Sequence, residues 1–298
     1  MSGQFGNPLM RFLRKVKARF TEREGTRGYQ RRLERETRRV ARTFAGELQP
    51  VLIHTYGKVG STAIQTSINK LSGFGSFQTH FISEEGVAEA RAVHQDHDRD
   101  PIHLKVGEAL RRAMIEHPGK VVRVITLVRD PVARAVSNLF ENPVLLLGEN
   151  GGDLRKMPVE QVVEIAAEQI RSSLDYTERW FDRELSGLFG FDFFAAPFDR
   201  EAGFQIHEEG RVRLLSGKLE LLSNNGGRFL GEFLGLPEPL DIPRRRAREA
   251  TGEASLYDQV RKSLKLPSAF LDEVYQSRVC RYFYTPAEID GFREIWQA

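Results

Sequence analysis

The sequence predicts an α/β fold, a parallel central sheet flanked by helices, with a basic helical arm at its amino end. Two observations predict the sheet. After Pro50, short apolar runs of strand length alternate with stretches of helical periodicity, as expected of strands covered on both faces by crossover helices. Two of those runs, ending at His54 and Val128, pass directly into loops of glycine, proline and basic residues that open helices. A third observation sets the arm apart: residues 1–46 carry 13 Lys and Arg against 4 Asp and Glu, a local +9 in a chain whose formal charge is +3. The rest of the chain is therefore acidic. The expected division is an arm at 1–46 and an α/β domain at 47–298.

In the arm, Leu9, Phe12, Leu13, Val16 and Phe20 recur at spacings of 3 to 4 with Arg and Lys between them, which describes a basic amphipathic helix. Such a helix suits an anionic membrane surface, and suits equally a solvated helix resting loosely on the body. Val51–His54 reads as a strand and Ser61–Leu71 as a helix; Ser76–Ile82 follows as a strand and Glu84–His94 as a helix. A helical pattern at Leu104–Glu116 precedes the clearest strand, Val121–Val128. Asp130-Pro131 then supplies an N-cap and a proline at the first helical position, opening a helix through about Phe140. The loop 142–158, with five glycines and prolines, is the segment expected to move most. Glu160–Arg183 reads as one long amphipathic helix, and Phe191–Phe198 and Val212–Ser216 as two further strands.

Composition excludes some classes. With mean hydropathy −0.41 there is no run of about 18 apolar residues, the minimum for a spanning helix. No apolar core with a small-residue cleavage site stands at the amino end, and the single Cys280 can form no internal disulfide, so a cytoplasmic location is expected, peripheral at a membrane if the arm binds there. Nucleic acid is not an expected partner, because the body is acidic and the arm is poor in stacking aromatics. No metal site is expected, since only His94 to Asp98 approaches ligand spacing, in a polar stretch that reads as a solvated helix end.

The stretch "HTYGKVGSTAIQTSI", His54 to Ile68, carries the chemistry. A loop leaving a parallel strand and entering a helix exposes backbone N–H groups where the helix dipole adds positive potential, so phosphate or sulfate is its natural guest. Gly57 and Gly60 let the backbone curl, Ser61 and Thr62 add hydroxyls, and Lys58 adds a full charge. The nucleoside triphosphate loop, G-x-x-x-x-G-K-[ST], is not this pattern, because here the Lys precedes the Gly-Ser-Thr turn. The second motif, "LVRDPVARAVSNLF", places Arg129 at a strand's carboxyl end and Ser137 on the next helix, where the two can grip one phosphate.

Together "YGKVGSTAI" and "VRDPVARAVSNLF" resemble the signature of sulfotransferases that use 3′-phosphoadenosine 5′-phosphosulfate, PAPS, over about residues 51 to 140. The resemblance implies a P-loop-like α/β fold and PAPS as co-substrate. It implies that Lys58, Val59, Gly60, Ser61, Thr62 and Ala63 hold the 5′-phosphosulfate, and that Arg129 and Ser137 hold the 3′-phosphate. Gly57 stands where most members have proline, and the family's Arg-Lys-Gly loop over the nucleotide has no equivalent, so adenine contacts stay unassigned. "VRLLSGKLELL" and "GGRFLGEFLGLP" are similar to the family's later strand, Glu-containing turn and helix; the C-terminal stretch from Leu266 is similar to bacterial capsular polysaccharide synthesis proteins. The acceptor implied is a hydroxyl or amine, on a glycan by resemblance alone.

Sulfuryl transfer to a hydroxyl calls for a base, and histidine is the usual one. His80, at the end of the second strand, resembles the family's Thr-His base, with His103 as rival and Glu220 as an acidic substitute. His94, His97, His117 and His207 stand in polar contexts that suggest exposure. Two other classes remain: a nucleotide-binding enzyme such as a kinase, and a non-catalytic scaffold at a membrane surface.

Overall fold

The computed structural model describes residues 26–95, 101–143, 154–243 and 253–298. The predicted amphipathic helix at residues 9–20, and most of the 142–158 loop, lie outside them. Helix α1 (Arg27–Ala45) is N-capped by Thr26, whose hydroxyl accepts the Tyr29 N–H. Far from standing apart, it buries Tyr29, Val40 and Phe44 in the same core as the sheet strands. Residues 27–45 therefore pack as part of the α/β body, whatever their charge.

Strand β1 (Gln49–His54) is buried at every residue but the first, and it leads through the loop into α2 (Ser61–Ile68). Strand β2 (Phe74–Thr79) follows, then α3 (Glu84–Gln95) and α4 (Ile102–Glu116), then β3 (Val122–Val128) and α5 (Pro131–Glu141). The Asp130 carboxylate accepts the N–H groups of Val132 and Ala133, the cap expected from the sequence. The long helix expected at 160–183 is divided into α6 (Val159–Ser172) and α7 (Leu174–Phe181), continuing into a π-helical turn, Asp182–Gly187.

Residues Phe191–Phe198 form turns, not the expected strand. Phe193, Phe194 and Phe198 pack with Phe181, Tyr282 and Phe283, an inward-facing aromatic cluster without the alternation a strand needs. Their backbone is tied locally: the Phe193 N–H donates to Ser186 Oγ and that of Phe194 to Asp192 Oδ1. The missing strand is β4 (Phe204–Glu209), joined to β5 (Val212–Lys218) by a tight hairpin with Gly210 at φ 55°. The sheet order is β2-β1-β3-β5-β4, with β2, β1, β3 and β5 parallel and β4 an antiparallel edge. The sheet is thus mostly, not wholly, parallel. Helix α8 (Gly227–Leu234) ends at left-handed Gly235, and α9 (Glu253–Ser263), α10 (Ser268–Tyr275), α11 (Arg278–Phe283) and α12 (Pro286–Trp296) complete the chain.

The carboxyl end is bound into the core through Asp130. Its carboxylate accepts from Tyr275 Oη at 2.9 Å and Trp296 Nε1 at 2.8 Å, so the residue that caps α5 also anchors α10 and α12. No described helix is long and apolar enough to cross a membrane.

Candidate functional site

Strand β1 connects to β2 on one side, while β3 is followed by β5 on the other, so the loops leaving β1 and β3 diverge at adjacent strand ends. That crevice is where open α/β sheets bind ligands. Residues 57, 58 and 60 have φ of 92°, 63° and 85°, a curled backbone that only glycine adopts freely. At Gly60 a Cβ would also stand 2.7 Å from Leu219 Cδ1, so that side chain would have to shift.

The two motifs meet at this point. Arg129 donates from Nη1 to the Lys58 carbonyl at 3.2 Å, and its backbone N–H donates to Tyr56 Oη at 3.2 Å. Lys58 Nζ pairs with Glu141 Oε1 at 3.1 Å, at the last residue of α5. Val59 and Ser61 are buried, and neither lines the large cleft beside Lys58. Thr62 is exposed and donates to Gln78, while the Ala63 N–H is used by the Gly60 carbonyl. Ser137 is 7% exposed on α5, so it is less open to ligand than its sequence position suggested.

Lys58, Gly57, His80 and His103 line one cleft of about 890 Å³, together with Tyr56, Arg134 and Tyr176. His80 follows β2 directly, and its Nδ1 lies 2.5 Å from the Thr55 carbonyl. A carbonyl can only accept, so Nδ1 carries the proton and Nε2 is left as the basic nitrogen. Burial, with the charges of Lys58 and Arg134 nearby, lowers the His80 pKa to about 4 despite that hydrogen bond. The imidazole is therefore neutral at pH 7. His103 opens α4 with its ring 6.3 Å from that of His80, and burial lowers its pKa to about 3. His94 stands next in line, 5.8 Å from His103, and lines the cleft instead of facing solvent freely. His207 is half-buried on β4, beside Ser216.

Behind the loop lies a buried pair that the sequence did not suggest. His54 Nε2 sits 3.3 Å from Glu184 Oε2 and 3.2 Å from the Glu184 carbonyl, with neither side chain exposed. Burial alone would raise the Glu184 pKa, but bonds from His54, Ser83 and the Ile82 N–H outweigh it and hold the pKa at about 2. Glu184 occupies the π-helical turn, which aims its carboxylate back at β1. Trp180 packs on His54 and donates from Nε1 to the His80 carbonyl at 2.7 Å, so the pair braces the backbone that carries His80.

Glu220 is occupied structurally. It accepts the Asp130 N–H at 2.8 Å and Tyr284 Oη at 3.2 Å, and burial raises its pKa. Cys280 is buried and its thiol is pushed up to about 12, which leaves it inert as a nucleophile. Among the described residues no group of three or more His, Cys, Asp or Glu could hold a metal ion.

Over residues 153–285 the chain is similar to a family described as "Putative capsular polysaccharide synthesis protein". The matched part contributes Tyr176, Trp180 and Glu184 to the region, while Lys58, His80 and Arg129 lie before it. Neither a curated protein nor a solved structure matches the chain.

Proposed function

We propose that the chain transfers a sulfuryl group from PAPS to a hydroxyl or amine of a saccharide acceptor. The observation that carries this reading is the meeting of two motifs 71 residues apart, Arg129 Nη1 on the Lys58 carbonyl, at the divergence of β1 and β3. Two anion grips side by side at a strand-end crevice suit a ligand with two separated phosphate groups. The family description adds a connection to polysaccharide synthesis and supports a saccharide acceptor.

The residues present fit such a donor. The curled 57–60 backbone leads straight into the first turn of α2, where N–H groups lack intrahelical partners, and Lys58 lines the cleft beside Gly57. Lys58 would exchange Glu141 for the donor's 5′-phosphate side and hold positive charge where negative charge develops. Arg129 and Ser137 would hold the 3′-phosphate. When bound, PAPS supplies the sulfuryl group and a phosphate leaving group. His80 would take the acceptor proton on Nε2, its ring held by the Thr55 carbonyl and its carbonyl by Trp180. His103, the rival base, lies one ring further from the loop.

Calorimetry separates this reading from a kinase. Adenosine 3′,5′-bisphosphate should bind without metal, more tightly than ATP with Mg²⁺. Metal-dependent ATP binding with no affinity for the bisphosphate would replace the sulfotransferase by a kinase. Bisphosphate binding with no transfer from PAPS to any saccharide tested would favour the scaffold.

A further inference from the structure

Arg134 has no role in either anion grip, yet it is the charged group the cleft compensates least. It is 5% exposed, it lines the cleft beside Tyr56 and Tyr176, and no described carboxylate pairs with it. Its Nε has no hydrogen-bond partner. The guanidinium carbon lies 5.0 Å from the centre of the Tyr56 ring and 5.2 Å from that of Tyr176. Two aromatic rings stabilise a cation, but they accept none of its five N–H bonds in the plane of the guanidinium. A guanidinium withdrawn from water and left without an anion is costly, and the two ring faces offset only part of that cost.

We infer that Arg134 is the acceptor-side anion contact of the cleft, and that the acceptor is an acidic saccharide whose carboxylate takes the open edge of the guanidinium. This rests on the sulfuryl-transfer reading of the same cleft. The placement distinguishes it from the Arg129 grip. Arg129 reaches the Lys58 carbonyl and shares with Tyr56 and Arg134 only a pocket of about 30 Å³, whereas Arg134 also lines the large cleft, which Arg129 does not, together with Asn138, Gln169 and Ser173, uncharged hydrogen-bonding groups suited to sugar hydroxyls. A planar carboxylate matches the guanidinium edge by paired N–H bonds, which a neutral sugar cannot do. His80 lines the same cleft, so an acid sugar held at Arg134 presents its hydroxyls to the basic nitrogen.

The test uses the full chain and two probes, a hyaluronan tetrasaccharide bearing glucuronate and the neutral tetra-N-acetylchitotetraose, each titrated calorimetrically with adenosine 3′,5′-bisphosphate present. The acidic probe should bind at least about tenfold more tightly, the scale of one charged hydrogen-bonded contact. Methyl esterification of its carboxylates should remove the advantage. Arg134→Gln should bring the two probes within about twofold while leaving the bisphosphate affinity within about twofold. Equal binding of acidic and neutral probes by the unaltered protein would overturn the inference. So would a preference that survives esterification or Arg134→Gln. If Arg134→Gln fails to reproduce the parent's circular dichroism, the esterified probe decides alone, because it needs no altered protein. An acid preference without any bisphosphate affinity would keep Arg134 as the anion contact and sink the sulfuryl-transfer reading instead.

Discussion

Mild acid should weaken this fold, because two cleft histidines resist protonation. The His80 pKa stands at about 4 and that of His103 at about 3, both below the ordinary 6.5 they recover on unfolding. Between these limits the unfolded chain binds more protons than the folded one. Stability is therefore complete above pH 6.5, and falls as pH drops toward 4 for His80 and toward 3 for His103. Each histidine contributes a slope approaching about 1.4 kcal/mol per pH unit, so from pH 6 to pH 5 the pair should cost about 2 kcal/mol. Glu184 acts lower: with its pKa at about 2 against an ordinary 4.5, its contribution is lost only below pH 4.5. Urea denaturation at pH 6 and pH 5 reads the loss, and His80→Gln should remove about half of it. Equal stability at the two pH values, or an NMR midpoint for His80 near 6.5, would show that these histidines titrate normally in the folded chain. The same property bears on the proposed catalysis: at pH 5.5 His80 stays mostly neutral where an ordinary histidine is mostly protonated, so the acidic limb of kcat/KM should lie below pH 5.

His80→Ala should slow transfer by about 10²- to 10⁴-fold with bisphosphate affinity unchanged, measured by mass spectrometry of the product and by calorimetry. If His103→Ala alone slows transfer, the base is His103. Glu141→Gln removes the carboxylate that competes for Lys58, and calorimetry should show bisphosphate binding tightened about two- to fivefold; unchanged or weaker binding would show that the pair does not compete with ligand. A chain shortened to residues 47–298 loses Tyr29, Val40 and Phe44 from the core, at about 1.5 to 3 kcal/mol each, a loss comparable with a typical domain's whole stability. It should melt far below the full chain by calorimetry, and an unchanged Tm would show that α1 is dispensable.

The curl of the 57–60 loop is legible because its demands are local. Positive φ at 57 and 60 follows from two glycines within four residues, whereas positive φ at Lys58 has no such signal. The Asp130-Pro131 cap was equally local. The sequence suggests a strand at 191–198 because a run of phenylalanines satisfies β propensity, while only the tertiary cluster reveals that Phe193, Phe194 and Phe198 pack together inward. Strand β4 was hidden by its polarity, since an edge strand with Glu208 and Glu209 needs no apolar alternation. His54 and Glu184 are 130 residues apart, and no spacing signals such a pair. Glu141 left a faint trace, because an acidic residue at a helix carboxyl end opposes the dipole and so implies a cation nearby. Arg134 was within the quoted motif, but nothing in "DPVARAVS" tells a buried arginine from a solvated one.

If Arg129 and the Lys58 loop form two grips for one doubly phosphorylated nucleotide, as proposed, calorimetry on Arg129→Ala will separate them. Removing the guanidinium should weaken adenosine 3′,5′-bisphosphate by about 1.5 to 3 kcal/mol, roughly 10- to 150-fold, while adenosine 5′-phosphate binding changes less than about twofold. Equal losses for both nucleotides, or no binding of the bisphosphate by the unaltered protein, would contradict the claim.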